Sequence, residues 1–130
     1  MVVDTSVVVA IFFREEGADA LNRAIQSAVD PVISAASIVE IGVVLARRAG
    51  RGSEGDLWTF LASVHLRTEP VTFEQAKLAL DAFARFGKGS GHPARLNFGD
   101  CFSYALAKAL DRPLLFKGED FRHTDLEPAL

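Results

Sequence analysis

Asp4, Glu40, Asp100 and Asp120 are the residues of this sequence best suited to act together. Carboxylates gathered at one place repel one another and take up protons unless a cation neutralises them. Oxygen ligands unaccompanied by His or Cys favour a hard ion, Mg²⁺ or Mn²⁺. Such an ion keeps waters, lowers the pKa of one of them and can hold a phosphate oxygen. A second ion about 3.5–4 Å away would stabilise the leaving oxygen of a phosphodiester. Plainer roles exist beside these. Asp100 could be an N-cap or first-turn acid, Glu40 could pair with Arg47 or another Arg, and Ser6 could cap a helix rather than hold a carboxylate or a metal-bound water.

The surrounding pattern must bring these acids together. Met1-Val2-Val3 reads as a buried strand ending at Asp4, with Thr5 or Ser6 capping a helix over 7–13 that breaks before Gly17. A helix over 18–28 and a strand over 31–34 follow. A third helix over 35–48 carries Glu40 among Ile38, Val39, Ile41, Val43, Val44 and Leu45. A carboxylate in that company is costly unless it is paired, hydrogen-bonded or on a metal. Helices over 53–66 and 73–86 flank a strand over 68–71, and a glycine-rich loop with scattered basic groups covers 87–95. Phe102, Ala105, Leu106, Ala109 and Leu110 then fall at helical spacing. Gly99-Asp100 sits where that helix begins, among backbone N–H groups that favour a carboxylate. A short strand over 113–116 and an edge strand in the tail, around 123–126, complete the order.

Short apolar strands alternating with amphipathic helices indicate an α/β sandwich with a mainly parallel sheet. Sites in such sheets form outside the carboxyl ends of the strands. Asp4 and Asp120 each follow a strand, so both reach that edge, and Asp100 can face it from its helix.

With 130 residues the chain is long enough for one domain over 1–130 with a real core. The apolar content of 49 % and charged content of 24 % are those of a globular protein. A lone cysteine, Cys101, excludes an internal disulfide and makes a reducing cytoplasm the simplest compartment. The N-terminus lacks the basic segment of a signal peptide, and the apolar run over 7–13 is too short to span a membrane. A net charge of −3 means that any polyanion would meet a local basic patch rather than a basic molecule. His65, His92 and His123 are too scattered for a zinc site, and Cys101 reads as a small buried residue. Trp58 and the ten Phe are expected in the core or on a partner surface.

Val2-Val3-Asp4-Thr5-Ser6, the Glu40 helix, Phe98-Gly99-Asp100-Cys101-Phe102-Ser103-Tyr104-Ala105 and Leu115-Phe116-Lys117-Gly118-Glu119-Asp120-Phe121 occur in the order found in PIN-domain ribonucleases. The chain resembles most closely the VapC toxin branch of type II toxin–antitoxin modules. The resemblance implies a three-layer α/β/α sandwich and an endoribonuclease dependent on Mg²⁺ or Mn²⁺, acting on RNA such as tRNA or rRNA. It also implies a homodimer and inhibition by a VapB-type antitoxin, whose Arg can enter the acidic cluster. Asp4, Glu40 and Asp100 match the family's main acids. Asp120 matches a more variable fourth, with Glu119 as its competitor, and Thr5 or Ser6 matches a hydroxyl beside the first acid. Lys117 stands where many members have a small or hydroxyl residue, so its cation is expected to contact phosphate or pair with an acid.

On this basis Arg14, Arg85, Lys88, Arg95 and Lys117 are candidates for holding RNA, each also explicable as a solvated surface cation. Lys88, His92 and Arg95 share the glycine-rich loop, which could adapt to single strands. Ile11, Phe12, Phe13, Leu21 and Ile25 exceed what a small core needs and are candidates for an antitoxin or dimer surface. Two alternatives compete: a phosphoacceptor receiver domain using acids and Lys117 at strand ends, and a catalytically silent module of the same fold. The receiver would need an acidic pair after the first strand, where Thr5 and Ser6 follow Asp4 instead, and it leaves Glu40 unexplained.

Overall fold

Adjacent apolar residues in the strands divide between two cores and so set the architecture. In the computed structural model, which describes residues 1–130, the strands are β1 (Val2–Val3), β2 (Val32–Ser34), β3 (Arg67–Glu69) and β4 (Leu114–Leu115). All pair in parallel in the order β3-β2-β1-β4, with Val2 beside Val32 and Leu114, and Val3 beside Leu115. Successive side chains on a strand point to opposite faces. Val2, Val32 and Leu114 therefore join one buried cluster, while Val3, Ile33 and Leu115 join the other.

Helices cover both faces. The first cluster is closed by α5 (Phe73–Phe86) and α6 (Phe98–Leu110), through Ala82, Phe86, Tyr104 and Leu106. The second is closed by α1 (Thr5–Phe12), α2 (Ala18–Ser27), α3 (Ala35–Ala49) and α4 (Glu54–Ser63), through Val7, Ile25, Ile41, Leu45 and Leu57. The result is an α/β/α sandwich. Strands this short make few ladder bonds, each worth about 0.5–1.5 kcal/mol net. Each fully buried aliphatic side chain contributes about 1.5–3 kcal/mol, so the two cores, more than the ladder, hold the sheet.

The two ends of the sheet differ. At the amino end, Asp30 accepts hydrogen bonds from Arg67 (3.1 and 3.0 Å) and Arg112 (2.8 Å), which keeps its carboxyl well below the usual range. At the carboxyl end, the chain leaves β1 between its neighbours β2 and β4, the edge at which open parallel sheets place their sites.

Several local expectations are revised. Asp4 itself caps α1, because its side chain accepts from Ser6 N; the cap is neither Thr5 nor Ser6. The tail forms a 3₁₀ turn over Asp120–His123 and a single bridge between Leu114 and Pro128 in place of an edge strand. Pro128 has no N–H with which to continue a ladder. Leu21 and Ile25 belong to the core and leave no apolar surface for a partner. Of the phenylalanines only Phe86 and Phe121 are buried, while Trp58, Phe73 and Phe98 are exposed. No helix is long and apolar enough to cross a membrane.

Candidate active site

Asp4 leaves β1 at its carboxyl end and is almost wholly buried. Its Oδ2 accepts from Ser6 N (2.9 Å) and from Ser6 Oγ (2.6 Å), while Oδ1 has no hydrogen-bond partner. The backbone N–H of Lys117 in turn donates to Ser6 Oγ at 3.0 Å. This ties the exit of β4 to the first carboxylate. Thr5 is buried beside it, its hydroxyl also without a partner.

Asp100 is positioned by a reciprocal cap. Asn97, the N-cap of α6, accepts from Asp100 N at 2.9 Å, and the Asp100 carboxylate accepts from Asn97 N at 2.9 Å. Such a capping box satisfies two free donors of the helix terminus at once. Glu40 comes from the second turn of α3, itself capped by Ser34. Its carboxylate lies directly over Gly99, where any Cβ would overlap it. Arg47 lines the adjoining groove with Glu40 and forms no ion pair with it.

Asp4, Thr5, Ser6, Glu40, Asn97, Asp100, Lys117 and Asp120 line one cavity of about 270 Å³. Asp120 stands at its rim at the start of the 3₁₀ turn, whereas Glu119 pairs with Arg122 at 3.4 Å and does not line it. Charge and burial act together here. Desolvation, then the Asp4 charge, with Glu40 and Asp120 adding, push Asp100 up to about 7 against the bonding from Asn97. Burial and then Asp4 raise Glu40 as well. The cavity is a crevice rather than a closed cage, since no three of its acids yet converge as a coordination group. Its donor set is nonetheless that of a hard divalent cation: carboxylate oxygens, one of them buried without a partner, and hydroxyls, with no imidazole and no accessible thiol. Cys101 is buried, donates to Asn97 O and is raised to about 11 by desolvation and by Asp100, so it takes no part as a nucleophile.

Four of the five candidate RNA cations lie outside this cavity. Arg14 lines a separate hollow with Glu15 and Glu16. Arg85 is held by Asp81 (3.2 Å) and Asp125 (3.6 Å). Lys88 and Arg95 are exposed on the loop between α5 and α6 and do not line the cleft. Lys117 does line it, yet its ammonium pairs with Glu15 at 2.7 Å rather than with a cleft acid. A phosphoacceptor site would need that ammonium among the acids. Gly99 and Asn97 supply positioning that the sequence pattern did not single out. The signal available for Asn97 was its spacing of three residues from Asp100, the usual interval of a capping box.

A model of the PIN domain family matches residues 1–127. The chain is 51 % identical over 130 residues to a protein of Mycolicibacterium smegmatis named Ribonuclease VapC, covering 97 % of each. Its fold is shared with the crystal structure of VapC20 of Mycobacterium tuberculosis, described as a sarcin–ricin loop cleaving toxin, at a TM-score of 0.74 and 22 % identity over 98 % of both chains. It is also shared with a chain of a toxin–antitoxin complex from Klebsiella pneumoniae, at a TM-score of 0.69 and 15 % identity over 95 % of this chain and 92 % of that one.

Replacing Gly99 by Ala should leave stability unchanged or raise it by up to about 1 kcal/mol, the helix preference of Ala over Gly. By displacing the Glu40 carboxylate it should also weaken any Mg²⁺ binding in this crevice about tenfold, the scale seen when a ligand loses its support. Melting with and without Mg²⁺ reads both quantities. In the metal-free protein, folded Asp100 titrates at about 7 against 3.8 unfolded, so the native state holds the extra proton between these values. This group's contribution to stability therefore falls as pH rises from 4 to 7. Asp100→Asn should lose that decline, as measured by denaturation midpoints across the window.

Proposed function

The chain belongs to the PIN-domain family, among the VapC ribonucleases, and we propose that it is the toxin of a type II toxin–antitoxin module. On this proposal it is an endoribonuclease that hydrolyses RNA phosphodiester bonds with the help of Mg²⁺ or Mn²⁺. The observation that carries it is the single cavity lined by Asp4, Glu40, Asp100 and Asp120, in which burial and the neighbouring charges raise the Glu40 and Asp100 carboxyls unless a cation is shared among them.

A divalent ion bound there would polarise the phosphate and lower the pKa of a water. The protein's own part is to hold the acids still. Ser6 fixes Asp4 through Oδ2, leaving Oδ1 as the atom in need of a partner. The capping box fixes Asp100, and Gly99 makes room for Glu40. Asp120, on the exposed rim, is the acid freest to adjust as substrate enters.

RNA is the substrate class supported by the ribonuclease relatives, with tRNA and rRNA as candidate targets in the cytoplasm. A strongly acidic cleft repels a polyanion, so phosphate contacts must come from outside it. Lys88 and Arg95, exposed on the glycine-rich loop, fit that requirement better than Arg85, which its two acidic partners already neutralise. Exposed apolar groups on the helices, among them Val39, Trp58, Leu80 and Phe98, support protein partners: a second copy and a VapB-type antitoxin.

The test is cleavage of a structured RNA pool such as total tRNA, supplied with Mg²⁺, Mn²⁺ or EDTA. Cleavage should require the metal and fall about 100-fold or more in Asp4→Asn, since removing even a residue that only orients a metal ligand costs about 10–100-fold. Equal cleavage by both proteins would refute the assignment. In a separate binding assay, Lys88→Ala with Arg95→Ala should reduce the slope of log affinity against log salt by about 1 to 2. An unchanged slope would remove both from the RNA surface.

A further inference from the structure

Lys117 poses an electrostatic problem. It lines the acid cavity, and its four-carbon stem would let an ammonium settle among carboxylates that have no cation of their own. Instead Lys117 Nζ lies 2.7 Å from Glu15 Oε2, outside the cavity. Glu15 sits just beyond α1, where its backbone N–H donates to Ala10 O at 2.9 Å. Its second oxygen lies 3.5 Å from Arg48, whose guanidinium covers the Phe13 ring at 3.7 Å. Glu15 is thus held by backbone on one side and by a stacked Arg on the other, and it lies against the one cation that lines the cleft.

We infer that Glu15 is a positioning residue that keeps the Lys117 ammonium out of the acidic cluster, leaving the carboxylates free for a divalent cation. The inference rests on the metal site proposed above. Without Glu15 the ammonium would swing to the cleft acids, where four flexible bonds let it pair with carboxylates that a divalent ion must share. Glu15 would then govern metal affinity without touching the metal.

The experiment is a double-mutant cycle on the whole chain. The concentration of Mg²⁺ giving half-maximal thermal stabilisation is measured for wild type, Glu15→Gln, Lys117→Met and the double variant. Melting without Mg²⁺ verifies that each is folded. Glu15→Gln should raise the half-point about tenfold, the scale of one charge-assisted contact. In the Lys117→Met background the same change should have no effect, because nothing remains to be released. An equal shift in both backgrounds would mean that Glu15 acts only through its own charge, and would overturn the inference while leaving the metal site standing. An unshifted half-point in Glu15→Gln would also overturn it. If wild type gains no stability from Mg²⁺, the metal site itself fails and takes the inference with it.

Discussion

The chain of hydrogen bonds from Lys117 N to Ser6 Oγ to Asp4 Oδ2 joins the exit of β4, the first turn of α1 and the end of β1. Each link uses a group that its secondary structure leaves over. Asp4 caps a helix whose first N–H groups have no internal partner. The Lys117 amide lies just past a strand only two residues long. A carboxylate held on one oxygen by two donors cannot rotate to satisfy the other, and Oδ1 is left buried and unpartnered. The remaining acids are arranged around this fixed group.

Crowding the acids is unfavourable, and the fold bears that cost through specific devices. The α6 terminus lends its capping box to Asp100, yet burial and the neighbouring charges outweigh it, and the group ends near 7. Glu40 has no compensating donor at all; it reaches the cleft only because α6 presents a glycine where it passes. An uncompensated buried acid weakens a fold unless binding repays the loss. Stability alone would have favoured a neutral residue at both places, so the two acids stand out as candidates for function rather than as elements of packing.

The opposite end of the sheet shows what the same chemistry does when structure alone is served. There Asp30 meets two Arg and its carboxyl is held low, a fully matched set of charges. Where the cleft has an excess of one sign, the amino end pairs its carboxylate with cations. The contrast extends to Lys117, the one cation at the cleft, which is matched to an acid outside it.

Much of this protein was legible in its sequence because the signals are local. The pattern of apolar residues placed the six helices and the four paired strands within a few positions, though not the tail, and the parallel sheet followed from the alternation of the two. The acids at Asp4, Asp100 and Asp120 could be placed at one sheet edge by the rule for strand ends, and Glu40 stood out by its apolar neighbours. The tertiary structure decided what depends on approach across the chain. Whether Glu40 paired with Arg47 or faced the cleft depended on the distance between α3 and α6, which Gly99 sets. Whether Glu119 or Asp120 faced the acids depended on the 3₁₀ turn. The direction taken by Lys117 depended on Glu15, 102 residues away in sequence. Composition and spacing fix the kinds of groups that a fold brings near one another; the side on which a long, flexible charged side chain finds its partner is an outcome of packing between distant segments.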